Sequence, residues 1–143
     1  RPPRSTLFPY TTLFRSVLLD QDVFAGVGNI IKNEVLHRIR VHPESRIGAL
    51  PPRKLSELVT QARTYSFDFY RWKQAFELRK HYQVHTKRSC PRDGTPLQYR
   101  KHLGAAQRRA FWCDTCQRLY GDPPAAAEAP PRRTAKRAPR RAR

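Results

Sequence analysis

Acidic residues are scarce. The 143-residue chain holds 11 Asp and Glu against 29 Lys and Arg, for a formal charge of +18. So large an excess of one sign disfavours self-association, predicts a monomer, and selects a polyanionic partner. Nucleic acid is the first such partner and an anionic membrane surface the second. Long apolar runs are missing as well. None approaches the roughly 18 residues of a membrane-spanning helix, which sets the membrane aside. The N-terminus has no apolar stretch followed by a small-residue cleavage site, so no secretory signal is read there. Cysteine is sparse, and three is an odd count that cannot close a disulfide framework. Two of the three stand as Cys113-x-x-Cys116, a spacing that in a basic chain reads as metal binding. No internal repeat is visible.

Residues 1–16, RPPRSTLFPYTTLFRS, differ in character from everything after them. They hold Pro2, Pro3 and Pro9, and they follow neither helical nor strand periodicity. At Val17 the sequence switches abruptly to well-patterned text. The segment back-translates residue for residue into a string resembling a common short-read sequencing adapter. It is therefore expected to be a non-native leader and to make no stable tertiary contact. Setting aside this leader and the tail 123–143 leaves a middle that is still basic.

The patterned region begins with VLLDQDVF, which reads as the last turns of a helix. Gly26-Val27-Gly28-Asn29 follows, a turn with two glycines, and Asn29 suits the N-cap of a second helix. Ile31, Val35 and Ile39 recur every four residues, with Ile30 and Leu36 beside them, so one apolar stripe is expected until Pro43 stops the helix. Pro51 and Pro52 open a further helix, in which Leu55, Leu58, Val59, Ala62, Tyr65 or Ser66, and Phe69 keep helical spacing. Gln83–Cys90 turns polar and basic and predicts a connector of some extended character. Turn signals at Asp93-Gly94 and Gly104 flank short β-prone runs at 97–99 and 110–112, a hairpin pattern. From Asp122 onward the chain is rich in Ala, Pro and Arg and too poor in large apolar residues to bury a core, so disorder is expected.

Three constellations could carry function. A glycine turn opening a helix offers free backbone N–H groups and the positive end of the helix dipole to an anion, and Asn29 adds a side-chain amide. An ordinary helix corner would look the same. Cys90 with Cys113-x-x-Cys116 on a hairpin has zinc-ribbon spacing. Asp93 stands where a fourth ligand is expected, and His102 in the hairpin arm competes with it. The alternative is a metal-free hairpin held by Phe111 and Trp112. Finally, Gln107-Arg108-Arg109 places arginines on that hairpin, where they would meet phosphates or simply face solvent.

LLDQDVFAGVGNIIKNEVLHRIRVHP resembles the helix–two-turn–helix signature of the formamidopyrimidine-DNA glycosylase/endonuclease VIII family, and HTKRSCPRDGTPL with QRRAFWCDTCQRLY resembles its C-terminal zinc finger. The motifs occur in the family's order and cover about residues 17–120. The resemblance implies a mainly α fold, a small helical bundle with an appended zinc β-hairpin. It divides the chain into a DNA-binding helical domain at 17–82, a connector and zinc finger at 83–122, and the basic tail. It implies a bacterial, cytoplasmic, nucleoid-associated repair enzyme that excises oxidised bases and then nicks the abasic strand. Double-stranded DNA with a damaged base or abasic site is the implied partner and Zn2+ the implied cofactor. Gly28 and Asn29 fall on the turn that holds a DNA phosphate, and Arg108 falls on the finger arginine with the same role. Cys90, Cys113 and Cys116 fall on zinc ligands, but Asp93 stands where relatives usually carry a second cysteine. The family's nucleophile, an N-terminal proline followed by a glutamate on a β-rich domain, has no counterpart. The fragment is therefore expected to lack that domain and to be inactive alone. The rival readings are a non-enzymatic nucleic-acid-binding zinc module of ribosomal or transcription type, and a structural zinc domain binding an acidic protein.

Overall fold

A computed structural model of the protein describes residues 18–22, 24–103 and 107–121. The leader 1–16, the turn at Gly104 and the tail 123–143 lie outside the described residues. Two α-helices lie wholly within the described residues, α1 (Asn29–Arg38) and α2 (Pro52–Gln74), and Leu18 and Leu19 are helical as well. Two short 3-10 turns lie at Ile47–Ala49 and Leu78–His81, and an antiparallel pair is formed by β1 (Gln98–Leu103) and β2 (Arg108–Trp112). None of these helices is long and apolar enough to cross a membrane.

The apolar stripe expected on α1 is present: Ile31, Val35, Leu36 and Ile39 are buried. Leu58, Ala62 and Tyr65 meet them from α2, one helical face at spacings of four and three. Leu18, Val27, Val41 and Leu50 close the same core, with Phe69 and Trp72 at its edge. Truncating a fully buried leucine such as Leu36 to alanine would cost about 2–5 kcal/mol. Val59, expected on this face, is instead 57 % exposed.

Two helix boundaries differ from the sequence reading. Asn29 is the first residue of α1 rather than its cap; Gly28 is the N-cap, and no side chain caps the helix there. Nor does Pro43 end α1. Arg40 adopts φ 59°, the Arg40 N–H donates to the His37 carbonyl, and the Val41 N–H donates to the Leu36 carbonyl. That pair of bonds is a Schellman ending, sealed by buried Val41 and Leu36. α2 ends the same way, with Phe76 at φ 57° in the left-handed position and the Glu77 N–H donating to the Trp72 carbonyl.

The polar face of α1 is also buried, which the period-four stripe does not announce. Lys32, Asn33, Glu34 and His37 are each at most 1 % exposed. The Glu34 carboxylate accepts three backbone N–H bonds, from Gln83 (2.9 Å), Val84 (3.0 Å) and His85 (2.8 Å). The connector expected to run extended is therefore folded onto α1 by one carboxylate. Burial raises the Glu34 carboxyl above its ordinary range, and the three N–H bonds oppose that shift.

The strands are longer than the β-prone runs suggested. Gln98, Tyr99 and Arg100 pair with Trp112, Phe111 and Ala110, and a register shift follows before Leu103 pairs with Arg108. Among the described residues the finger's own core cluster is small: Leu103, Ala110 and Trp112. Its outgoing chain joins the loop after α1 instead. The Arg118 N–H donates to the Arg40 carbonyl, the His42 N–H to the Arg118 carbonyl, and the Arg46 N–H to the Tyr120 carbonyl.

Candidate nucleic-acid interface and metal centre

The loop before α1 is shaped by a residue the sequence reading passed over. The Gln21 side-chain amide donates to the Leu19 and Val27 carbonyls at 3.3 and 3.1 Å, and its oxygen accepts from the Gly26 N–H at 3.0 Å. One glutamine thus braces both ends of the loop. The two glycines then divide their roles. Gly26 sits at φ 83°, where a side chain is strained. Gly28 has an ordinary extended φ of −94°, is exposed, and a Cβ there would meet nothing within 4 Å. Among the described residues nothing requires a glycine at position 28. What its missing side chain leaves open is the approach to the unpaired N–H groups at the start of α1.

Asn29 and Arg108 line one cleft of about 360 Å3, together with Ile30, His85, Lys101, His102, Gln107 and Arg109. The cleft is strongly basic, with no Asp or Glu on its walls. Its far wall is held against α1 by main-chain anchoring. Lys32 Nζ and Asn33 Nδ2 donate to the Arg109 carbonyl at 3.3 and 3.4 Å. Asn33 Nδ2 also lies 3.2 Å from His85 Nδ1, and the His85 ring meets Phe111 edge-on at 5.1 Å. Burial, then the charges of Arg109 and Lys32, hold the His85 imidazole down to about 4, so it is neutral at pH 7. The Asn29 amide oxygen is buried without a protein hydrogen-bond partner, so the amide is not consumed in capping. Arg109, next to Arg108 on β2, lines the same cleft.

The second cluster is Cys90, Asp93, Cys113 and Cys116, whose ligand atoms all lie within 4.8 Å of one another. Cys90 Sγ and Cys116 Sγ are 3.8 Å apart, and Asp93 Oδ2 is 3.4 Å from Cys113 Sγ. With metal–sulfur bonds of about 2.3 Å and metal–oxygen bonds of about 2.0 Å, a tetrahedral site puts two sulfurs about 3.8 Å apart and a sulfur and an oxygen about 3.5 Å apart. The donor set therefore fits a tetrahedral metal ion. Asp93 is pre-oriented for it: Oδ1 accepts from the Thr95 N–H at 3.0 Å and the Thr95 hydroxyl at 2.6 Å, which leaves Oδ2 facing the sulfurs. The hydroxyl first, then the N–H, hold the Asp93 carboxyl down to about 2. His102 stands elsewhere, its Nδ1 3.4 Å from the Gln107 carbonyl.

Neighbouring groups tie the cluster to α1 and to the loop after it. Arg92 donates to Cys116 Sγ at 3.5 Å and to the Arg38 carbonyl at 3.2 Å, tying the cluster to the C-terminal end of α1. His37 Nε2 lies 3.4 Å from Cys90 Sγ. The Cys113 N–H donates to Gln117 Oε1, and Gln117 Nε2 donates to the Val41 carbonyl. Every ligand-bearing loop is thus fastened to α1 or the loop after it. Burial, and next the neighbouring Cys113, push the Cys116 thiol up to about 12, so a cation binding here must displace protons.

Comparison with known proteins agrees with this anatomy. Residues 9–65 match the formamidopyrimidine-DNA glycosylase H2TH domain. Over 76 % of its length the chain is 37 % identical to Endonuclease 8-like 3 of Xenopus laevis, covering 18 % of that protein. Over 75 % it is 40 % identical to Endonuclease 8-like 2 of Bos taurus, covering 33 %. Lactococcus lactis formamidopyrimidine-DNA glycosylase, solved noncovalently bound to DNA containing an AP site, superposes with a TM-score of 0.68 at 27 % identity. That superposition covers 75 % of this chain and 41 % of the enzyme. The chain thus spans between about a fifth and two fifths of the length of these relatives.

Proposed function

The chain carries the helix–two-turn–helix domain of the formamidopyrimidine-DNA glycosylase/endonuclease VIII family, and from that premise we propose that it is the DNA-gripping C-terminal part of a base-excision glycosylase. The proposed parent enzyme acts on oxidised bases in double-stranded DNA, in a bacterial cytoplasm, and nicks the abasic strand. The observation that carries the reading is the shared cleft: Asn29 and Arg108, 79 positions apart, line one basic wall-to-wall channel. A phosphate seated there would receive the Arg108 guanidinium, the Asn29 amide and the N–H groups exposed by Gly28. Such contacts fix the backbone and carry little sequence information.

In this reading the four-ligand cluster holds Zn2+ through Cys90, Cys113, Cys116 and Asp93. The ion would supply rigidity and no chemistry, keeping Arg108 at a fixed distance from α1. The covalent steps, attack of a secondary amine on the sugar C1′ of a flipped nucleotide and strand cleavage through the Schiff base, fall to the part of the relatives that this chain does not match.

The test is a salt titration of binding to duplex DNA bearing an abasic-site analogue. Arg108→Ala should weaken binding and lower the slope of log affinity against log salt by about one unit, as loss of one phosphate contact requires. Asn29→Ala should weaken binding with the slope unchanged, because it removes a neutral donor. Arg53→Ala, a charge-matched change on the exposed start of α2, should leave affinity within twofold. Equal effects from Arg53→Ala and Arg108→Ala would reject the cleft as the binding site.

A further inference from the structure

The surface beyond the cleft carries a second feature. Phe76 is 96 % exposed, and its backbone sits at φ 57°, a conformation that strains any residue but glycine. A helix ending of this type is normally given to glycine, so the phenyl ring is held in solvent at a cost on two counts. Tyr70 stands beside it, 60 % exposed, and with Tyr82 the two rings line a shallow concavity. Lys73 and Arg79 fringe it, while Lys80 is paired with Glu77 at 2.7 Å. One aromatic contact links the concavity to the Asn29–Arg108 cleft: Tyr82, on the concavity, meets His85, on the cleft, edge-on at 5.4 Å.

We propose that Phe76 is a stacking platform for an unpaired nucleobase, on a nucleic-acid track that continues from the cleft past His85 and Tyr82. The proposal rests on the DNA reading of the cleft and adds a single-stranded segment to its partner. Exposed rings with a cationic fringe suit a base and its phosphate: every base has a π-face, and the charges meet the backbone. Bases inside a duplex have no free face to offer, so the occupant is an unpaired nucleotide. An apolar protein partner would leave Lys73 and Arg79 desolvated without a counter-charge.

The experiment measures binding of the full chain to labelled oligothymidylate and to blunt duplex DNA, alongside thermal unfolding. Phe76→Gly should raise the melting temperature by a few degrees by relieving the left-handed strain, yet weaken oligothymidylate binding about tenfold. Its affinity for blunt duplex should change less than twofold. Phe76→Trp should bind oligothymidylate at least as tightly as the parent. Arg108→Ala should weaken both ligands, which separates failure of this proposal from failure of the cleft. Unchanged oligothymidylate binding in Phe76→Gly, with Arg108→Ala still defective, would overturn the platform. An equal loss of duplex and single-strand binding in Phe76→Gly would overturn it too.

Discussion

The helical pair and the finger are held together by different physics. Between α1 and α2 a continuous core of buried aliphatic side chains surrounds Tyr65, and hydrophobic burial suffices to fix the arrangement. Among the described residues of the finger, Leu103, Ala110 and Trp112 form the buried cluster, and a two-stranded hairpin of that size is marginal in water. What the finger has instead is a four-atom ligand cluster and a set of polar fastenings to α1. The helical pair is ordered by an apolar core, whereas the finger is ordered by polar fastenings to α1 around a cluster that fits a metal ion. The cleft lies where these two kinds of order meet.

Breaking the ligand cluster should have the largest effect, and on one side only. Cys113→Ser should abolish stoichiometric zinc, and hydrogen exchange should show β1 and β2 opening while α1 and α2 keep their protection. Asp93→Ala should lower zinc affinity more than His102→Ala does. A reversed ranking would give the fourth ligand to His102, and loss of protection in both helices would mean that the two regions are one cooperative unit.

Glu34→Gln sharpens the boundary between the regions. A carboxamide offers one acceptor oxygen where Glu34 now receives three N–H bonds, and its own N–H group would face a donor. Leaving buried donors unpaired costs about 1–3 kcal/mol each. The variant should be destabilised by about that much and release the connector, with zinc content retained. Zinc lost in parallel would show that the connector and the cluster are not separable.

A smaller effect follows from His85. Its imidazole pKa is held at about 4, below the ordinary 6.5, so the neutral form belongs to the fold. A base with a depressed folded pKa contributes its stability above the unfolded pKa and loses it as pH falls from about 6.5 towards 4. A group so well buried would account for as much as about 3 kcal/mol of that loss. His85→Gln should flatten the stability profile across this window. An unchanged slope would remove His85 from the account.

Much of this was legible in the sequence, in proportion to how local the physics is. The core stripe of α1, the opening of α2 at Pro51-Pro52 and the hairpin follow from periodicity and turn chemistry. The metal cluster is legible from cysteine spacing, with Asp93 rather than His102 emerging from its position three residues past Cys90. What sequence spacing does not carry is burial of charge. Lys32, Asn33, Glu34 and His37 lie off the apolar stripe of α1, and the partners that bury them lie about fifty or more positions away. Left-handed Arg40 and Phe76 were equally hidden, because neither residue type signals a Schellman ending. Gln21 carries no motif; its role appears only when both loop ends are in place.

The start of α1 is open at Gly28, and DNA is its proposed occupant. Gly28→Ser tests this most directly, since a Cβ there meets nothing in the protein and serine is a good N-cap. The substitution should leave the fold as stable as before or stabilise it by a few tenths of a kcal/mol. It should weaken binding to abasic-site duplex at least tenfold, by placing a side chain where the phosphate sits. A Gly28→Ser protein that folds normally and binds that duplex with parental affinity would contradict the account.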